Sequence, residues 1–471
     1  MSRYARLSPF DLMYLRDETD DWPCHFGGLA VADAGPLLDA SGTLRLDEIR
    51  SRLERRLDHV PDLRHRLYMP GRLRGGPLWI DDPSFEISKH ILEVAVPAPG
   101  GEAELLRTAT EVYAQLLDRR RPLWELWFLT GLAAGRVGVL LKLHHALADG
   151  NAAVAIMGSL FDTAADAADP TPSPWRPGGR PLESDLLVDS TVDRLRSVSR
   201  VLAALARPRR LIGALRVFFL VARRSVGSRG APGTSLNPVV RHGRRVGVMR
   251  LDLDAIKVAG HAHDGTVNDV VLDLWAGGLR ALLASRGERV DGIDLVTAQA
   301  VSTRSAGDTE IDNQAGTAVF PLPIREDDPS RRLDLVVDTT RKVKARFQPA
   351  AIMGALVAMS GTPLGRYLNR HQRAVNVLST NVVGPRQPMY LLGAPVLEIL
   401  PIIQLVGNVA LTLAAFSYAG RMSLVVTADA TGFPDLDVLM AGMERDWRAL
   451  ASGAAATTVL EPGRDAELAP A

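Results

Sequence analysis

The sequence predicts an α/β (α+β) protein of two units, and three observations carry that expectation. The chain has 471 residues, too many for one ordinary core, so two domains of about 150–250 residues are expected. Helical and strand periodicities alternate through the first 165 residues and again from about 241. Between those stretches the composition shifts: "DAADPTPSPWRPGGRP" (166–181) is rich in proline and has no periodicity. The expected organisation is a first unit at 1–165, a connecting region at 166–240, a second unit at 241–455 and a flexible tail at 456–471.

The elements follow in order. "LDEIRSRLERRLDHVPDLRHRL" (46–67) spaces apolar residues helically on a charged background. "GEAELLRTATEVYAQLLDR" (101–119) is a second amphipathic helix, ending before Pro122. "RVGVLLKL" (136–143) is a β-rich run, and "NAAVAIMGSLFDTAA" (151–165) returns to a helix. The stretch 190–230 is amphipathic, studded with arginine and broken at Pro208. It reads either as a helical pair with an arginine-rich solvent face or as a surface that touches anionic lipid. In the second unit "RRVGVMRLDLDAIK" is a strand running into a helix. "TVNDVVLDLWAGGLRALLASRG" (266–287) is a helix with Thr266 or Asn268 near its start and Gly287 near its end. "DLVTAQAVSTRS", "GTAVFPLPI", "AVNVLSTNVVGP" and "RMSLVVTAD" supply strands. Two halves of similar size suit a site at their junction.

Bulk properties narrow the function. Hydrophobic content of 46% with 23% charged residues is globular composition. A formal charge of +1 provides no global field for nucleic acid; all but five of the 55 basic residues are arginine, spread along most of the chain. The single cysteine, Cys24, excludes an intrachain disulfide and a four-cysteine zinc site, and a reducing cytosol is the expected compartment. The N-terminus lacks the apolar core of a secretory signal. The longest apolar run, 394–416, contains Glu398, Pro401, Gln404 and Asn408, so it reads as buried strands with a turn rather than a span.

The chemistry concentrates in "LKLHHALADGNAA" (141–153), where His144 and His145 end an apolar run and Asp149–Gly150 follow. An imidazole near its ordinary pKa can take a proton from a hydroxyl at neutral pH, which makes this a candidate general base. Two other readings stand beside it: a histidine pair satisfied structurally at a strand end, and a metal site extended by His261 and His263 of "HAHDG". No helical HxxxH pair exists and no spacing fixes a third ligand, so no metal is expected.

HHxxxDG at 144–150 resembles the signature of the CoA-dependent acyltransferase superfamily. "LSPFDLMYLRDETDDWPCHFGGLAV" (7–31), "GPLWIDDPSFEISKHI" (76–91) and "RPLWELWFLTGL" (121–132) resemble the bacterial wax ester synthase/diacylglycerol acyltransferase family more closely. "GTVNDVVLDLWAGGLRALL" (265–283), "PLPIREDDPSRRL" (321–333), "STNVVGPRQPMYLLGAPV" (379–396) and "LTLAAFSYAGRMSLVVTAD" (411–429) follow in that family's order. The resemblance spans about residues 7–450. The run Thr380–Asn381–Val382–Val383–Gly384 departs from the family's usual serine–asparagine–valine–proline.

The resemblance implies two chloramphenicol-acetyltransferase-like domains with mixed sheets and an active-site tunnel at their interface. It implies His145 as the base that deprotonates the acceptor, with His144 in support. Asp149 and Gly150 would shape the loop, Gly150 by allowing a turn and leaving room for substrate, and Arg304 is the candidate partner of Asp149. Asn268, Asp269, Ser379, Thr380 and Asn381 are candidates for stabilising the oxyanion or organising the substrate. Helix capping is the competing reading for Asn268 and Asp269. Pro122, Trp124 and Gly384 are tunnel candidates, Trp124 as wall or core. Long-chain acyl-CoA is the donor substrate, diacylglycerol or a fatty alcohol the acceptor, and no cofactor is required. A cytoplasmic protein attached peripherally to a membrane or lipid droplet is expected. The alternatives are a condensation-type acyltransferase with another acceptor and a non-catalytic lipid-surface binding protein.

Overall fold

In a computed structural model the described residues are 5–71, 73–168, 171, 175–205, 230–302, 315–344 and 360–459. The arginine-rich run at 206–229 and the end of the tail at 460–471 lie outside them. Two six-stranded mixed sheets form the frame. The first has the order Tyr390–Leu391, Ala394–Ile402, His25–Asp33, Arg136–His144, Trp124–Thr130, Ile91–Ala95. All its neighbours are antiparallel except the last pair. The second runs Ala315–Leu322, Leu295–Ser302, Val377–Val383, Leu411–Tyr418, Arg421–Asp429, Arg244–Asp252. Val377–Val383 is parallel to both of its neighbours. The α/β architecture and the mixed sheets are those expected.

Ala394–Ile402 falls within the 241–455 stretch, yet it is hydrogen-bonded into the first sheet, with Leu400 opposite Leu29. Its two faces are mostly buried, and a strand of that kind belongs inside a sheet rather than at an edge. The chain then returns to the second sheet through residues 403–410. Arg250 of the second sheet adds a polar tie: its Nε lies 2.6 Å from Glu398 and its NH2 3.0 Å from Glu102 of the first unit.

The strand Arg136–His144 is central, and alternation along it divides the first core. Val137, Val139, Leu141 and Leu143 pack with Ile49, Leu53 and Ile156. Leu140 faces the other way, with Leu105, Ala109 and Tyr113 of the helix Glu102–Ala114. Lys142 shares Leu140's face and is fully buried. Its ammonium donates to Val112 O at 3.1 Å and Gln115 O at 2.9 Å and meets Glu125 Oε2 at 3.1 Å. A buried cation thus meets the carbonyls at the helix C-terminus, where Val112 O also accepts from the capping Gln115 N–H.

In the second unit the helix Val267–Ser285 lies under the sheet against Leu436–Val459. Gly277 and Gly278 allow that approach: a Cβ at Gly278 would stand 2.9 Å from Leu439 O. Arg332, fully buried, binds Asp273 at 2.8 Å and Asp446 at 2.6 Å and ties three helices together. This packing holds the N-terminal turn of Val267–Ser285, and with it Asn268, in place. No helix among the described residues is long and apolar enough to cross a membrane.

Candidate active site

The histidine motif combines a strand end, a tight turn and a helix cap. Strand pairing carries His144 opposite His25. The chain then turns, with Leu147 N–H donating to His144 O at 2.8 Å. Asp149 is the N-cap of the helix Gly150–Leu160, its carboxylate accepting from Ala152 N–H at 2.8 Å. The aspartate of the motif is therefore a capping residue, the use that its backbone position favours. Arg304, its expected partner, lies outside the described residues. Gly150 corrects the expectation that it allows a turn. It is the first helical residue and takes no left-handed backbone angle; a Cβ there would meet Val382 Cγ2 at 3.5 Å, an ordinary contact.

The two histidines differ in surroundings. His144 is completely buried. Its Nδ1 accepts from Ala146 N–H at 2.9 Å, so the ring proton sits on Nε2, 3.3 Å from Glu18 Oε1. Glu18 also accepts from Cys24 N–H at 3.1 Å and from Arg119 at 2.8 Å. Burial opposes its charge, but the contacts with His144 and Arg119 win and hold its pKa down to about 2. His144 is thus held through Nδ1, with Nε2 turned to the Glu18 carboxylate, and buttresses the turn.

His145 is only partly buried. Its backbone N–H donates to Cys24 O at 2.9 Å. The ring stacks on Tyr14, with centroids 4.6 Å apart and planes 15° from parallel, and Phe26 leans on it at 4.8 Å. Nε2 lies 2.7 Å from Gln404 Oε1, in the loop that returns to the second sheet. Burial among these rings lowers the imidazole pKa to about 4, with the Gln404 contact opposing and His144 assisting. The ring is neutral at pH 7, as a base must be. Burial pushes the Cys24 thiol up, so it does not supply a thiolate nucleophile.

The second-unit candidates separate by strand face. Ser379 and Asn381 of Val377–Val383 share one face, and Thr380 and Val382 share the other. Asn381 Nδ2 lies 3.4 Å from Asn268 Oδ1, and Gln299 Nε2 donates to that oxygen at 2.5 Å. Ser379 is buried beside Thr297, with 3.3 Å between hydroxyls. That face belongs to the helix side of the sheet. The opposite face turns Val382 to Gly150, so Thr380 looks toward the first unit. Asn268 and Asp269, which shared the capping reading, part company: Asp269 closes the capping box with Thr266 and also accepts from Thr340 at 2.7 Å, while Asn268 joins the carboxamide cluster.

The remaining predicted residues are packing groups. Trp124 is buried, donates to Leu63 O at 2.6 Å and stacks on His90; Pro122 is buried next to it. Gly384 permits a close approach, since a Cβ would stand 2.3 Å from Ser417 O. His263 pairs with Asp334 at 2.7 Å. Among the described residues no group of three His, Cys, Asp or Glu side chains is arranged to hold a metal. A cavity of about 410 Å³ is bordered by Asn237, Arg370, Gln372, Asn376 and Asn408, none of them a predicted site residue. Tyr14, Glu18 and Gln404 are the residues that sequence reasoning did not assign. The signal for Gln404 was its polarity inside an apolar run.

Comparison with known proteins identifies the assembly. Residues 7–271 match the wax ester synthase/diacylglycerol acyltransferase catalytic domain, and residues 311–451 match the corresponding C-terminal domain. A Mycobacterium tuberculosis protein named a probable diacylglycerol O-acyltransferase is 30% identical over 436 residues, covering 89% of each chain. Among solved structures, the wax ester synthase/diacylglycerol acyltransferase from Marinobacter aquaeolei VT8 superposes with a TM-score of 0.70 at 23% identity, covering 96% of this chain and all of that one. The starter condensation domain of rhizomide synthetase gives 0.56 at 15%, covering 96% and 94%. These structures share the fold. With both family domains matched in order along one chain, this protein belongs to the wax ester synthase/diacylglycerol acyltransferase family and is an acyltransferase.

Proposed function

We propose that the protein transfers a long-chain acyl group from acyl-CoA to the hydroxyl of diacylglycerol, forming triacylglycerol, and accepts long-chain alcohols to form wax esters. His145 takes the hydroxyl proton as the oxygen attacks the thioester carbonyl. The carbon–oxygen bond forms, the carbon–sulfur bond breaks, and the proton passes to the departing CoA thiolate. The observation that carries this reading is a neutral, partly exposed imidazole at the junction of two units, held between Tyr14 and Phe26. Base catalysis of this kind contributes about 10²–10⁴-fold. Thr380 is the proposed donor to the developing oxyanion, because it shares the face of Val382 that meets the motif. The reaction draws on these groups and on the activated thioester, without a resident cofactor.

Peripheral attachment to a lipid surface suits water-insoluble substrates. The helix Glu183–Leu205 buries Leu186 and Ser190 and turns Val188 and Leu195 outward, 63% and 65% exposed; Met69 and Leu73 are similarly exposed nearby, where Leu73 O accepts from Ser190. Arginine is frequent in the sequence from 194 to 229, a composition that suits an anionic lipid surface. The test of function is a product assay with the purified full chain and palmitoyl-CoA, offering diolein and hexadecanol in separate tubes. Triacylglycerol or wax ester supports the reading and names the preferred acceptor. CoA release without either product rejects it.

A further inference from the structure

We infer that Gln404 is a positioning residue that caps His145 Nε2 while the acceptor site is empty and so prevents water from being activated against the bound thioester. The inference rests on His145 being the base.

Three observations lead to it. The carboxamide oxygen of Gln404 lies 2.7 Å from Nε2. A neutral imidazole carries one ring proton, and opposite an accepting oxygen that proton sits on Nε2. A nitrogen that already holds its proton cannot take another from a hydroxyl. Second, Tyr14 lies against one face of the ring and Phe26 leans on it. Gln404 therefore stands where an incoming hydroxyl must form its hydrogen bond to Nε2. Third, Gln404 belongs to the loop between Ala394–Ile402, paired in the first sheet, and Leu411–Tyr418, paired in the second. A loop that spans both sheets can respond to a ligand seated between them.

The reaction needs such a device because water competes with the alcohol. In the side reaction the water oxygen bonds to the thioester carbon, its proton passes to His145 Nε2, the carbon–sulfur bond breaks, and CoA leaves as the thiol after taking that proton. Fatty acid and CoA are released and the activated acyl group is lost. With Gln404 on Nε2, a small mobile water must first break a hydrogen bond between two anchored groups. An acceptor anchored by its acyl chains displaces Gln404, the imidazole carries its proton on Nδ1, and Nε2 offers its lone pair to the hydroxyl. A carboxamide suits this role: it accepts a hydrogen bond without the charge of a carboxylate, which would favour the protonated imidazolium.

The experiment measures CoA release from palmitoyl-CoA with and without diolein, in the wild type and in Gln404→Leu, Gln404→Ala, Gln404→Glu, His145→Ala and the Gln404→Leu/His145→Ala double variant. Loss of one capping hydrogen bond predicts that acceptor-free CoA release rises about fivefold to tenfold in Gln404→Leu and Gln404→Ala. Gln404→Glu, which still accepts from Nε2–H, stays at or below the wild-type level. The double variant loses the added hydrolysis. Acceptor-free release unchanged in both Gln404→Leu and Gln404→Ala, with transfer retained, overturns the cap and leaves His145 as base. Loss of both transfer and hydrolysis in these variants, in protein of native circular dichroism, also overturns it, because Gln404 would then assist the base. Transfer retained in His145→Ala removes the base reading and the cap with it.

Discussion

Gly150, the last residue of the histidine motif, faces Val382 of the second sheet, where a Cβ on Gly150 would stand 3.5 Å from Val382 Cγ2. This contact joins the two halves of the chain at the motif. It also decides which face of Val377–Val383 looks toward His145, and so sets Thr380 apart from Ser379 and Asn381.

Thr380→Val, which keeps the side chain's shape and removes the hydroxyl, is expected to lower kcat about 10²–10³-fold, as for loss of one oxyanion donor. Ser379→Ala, on the helix side beside Thr297, is expected to leave kcat within a few-fold. Steady-state rates with palmitoyl-CoA and diolein distinguish them. A larger loss in Ser379→Ala than in Thr380→Val contradicts the assignment by strand face.

The motif itself was legible because its spacing encodes local structure: an apolar strand, a turn and a capping aspartate follow one another between Arg136 and Asp149. What the spacing could not separate were residues whose roles depend on a face. Asn268 and Asp269 are adjacent, yet one joins a carboxamide cluster and the other closes a capping box. Thr380 and its neighbours differ only in which core their side meets. Gln404 was visible only as a polar interruption of an apolar run. Its contact with His145, 259 positions away, depends on Ala394–Ile402 entering the first sheet. The reason expected for Gly150 failed because a glycine in helical backbone looks, in sequence, like a glycine in a turn.

The imidazole of His145 is lowered to about 4 by burial. The neutral form therefore persists well below the ordinary histidine value, and kcat/KM is expected to stay level from pH 7 to about 5 and to fall as the pH drops through about 4. An acid limb centred near 6.5 would contradict the buried site. Stability follows a related window. His25, pushed down to about 3 by burial and Lys142, binds its proton more weakly in the folded chain than in the unfolded one. Between about 6.5 and 3 the unfolded state holds more protons at this site, so the His25 contribution to stability falls as the pH is lowered through that range and levels off below it, while the Asp273 carboxyl, raised to about 7 by burial, contributes in the opposite sense. Urea titrations of the wild type and His25→Phe at pH 7, 5.5 and 4.5 isolate the His25 part, and the same pH dependence of the midpoint in both would refute it.

Asp149→Ala removes the cap of Gly150–Leu160 and is expected to cost about 1 kcal/mol, whereas Asp149→Ser retains most of the stability. Chemical denaturation compares the two. If Asp149→Ser falls as far as Asp149→Ala, the carboxylate's role is not helix capping.

Gly384 and Gly150 should differ in their response to Ala. At Gly384 a Cβ would meet Ser417 O at 2.3 Å and the Phe416 ring at 2.5 Å, and a backbone carbonyl cannot swing aside. Gly384→Ala is expected to cost about 1–3 kcal/mol and to lower Tm by several degrees. Gly150→Ala should melt near the wild type. Equal melting temperatures for the two variants would contradict this packing.

The most direct test of the account is triacylglycerol formation by His145→Ala beside the wild type, with purified protein, palmitoyl-CoA and diolein. The rate is expected to fall by at least about 10²-fold, in line with loss of a general base, while circular dichroism and the melting temperature stay native. A folded His145→Ala that makes triacylglycerol at the wild-type rate would contradict it.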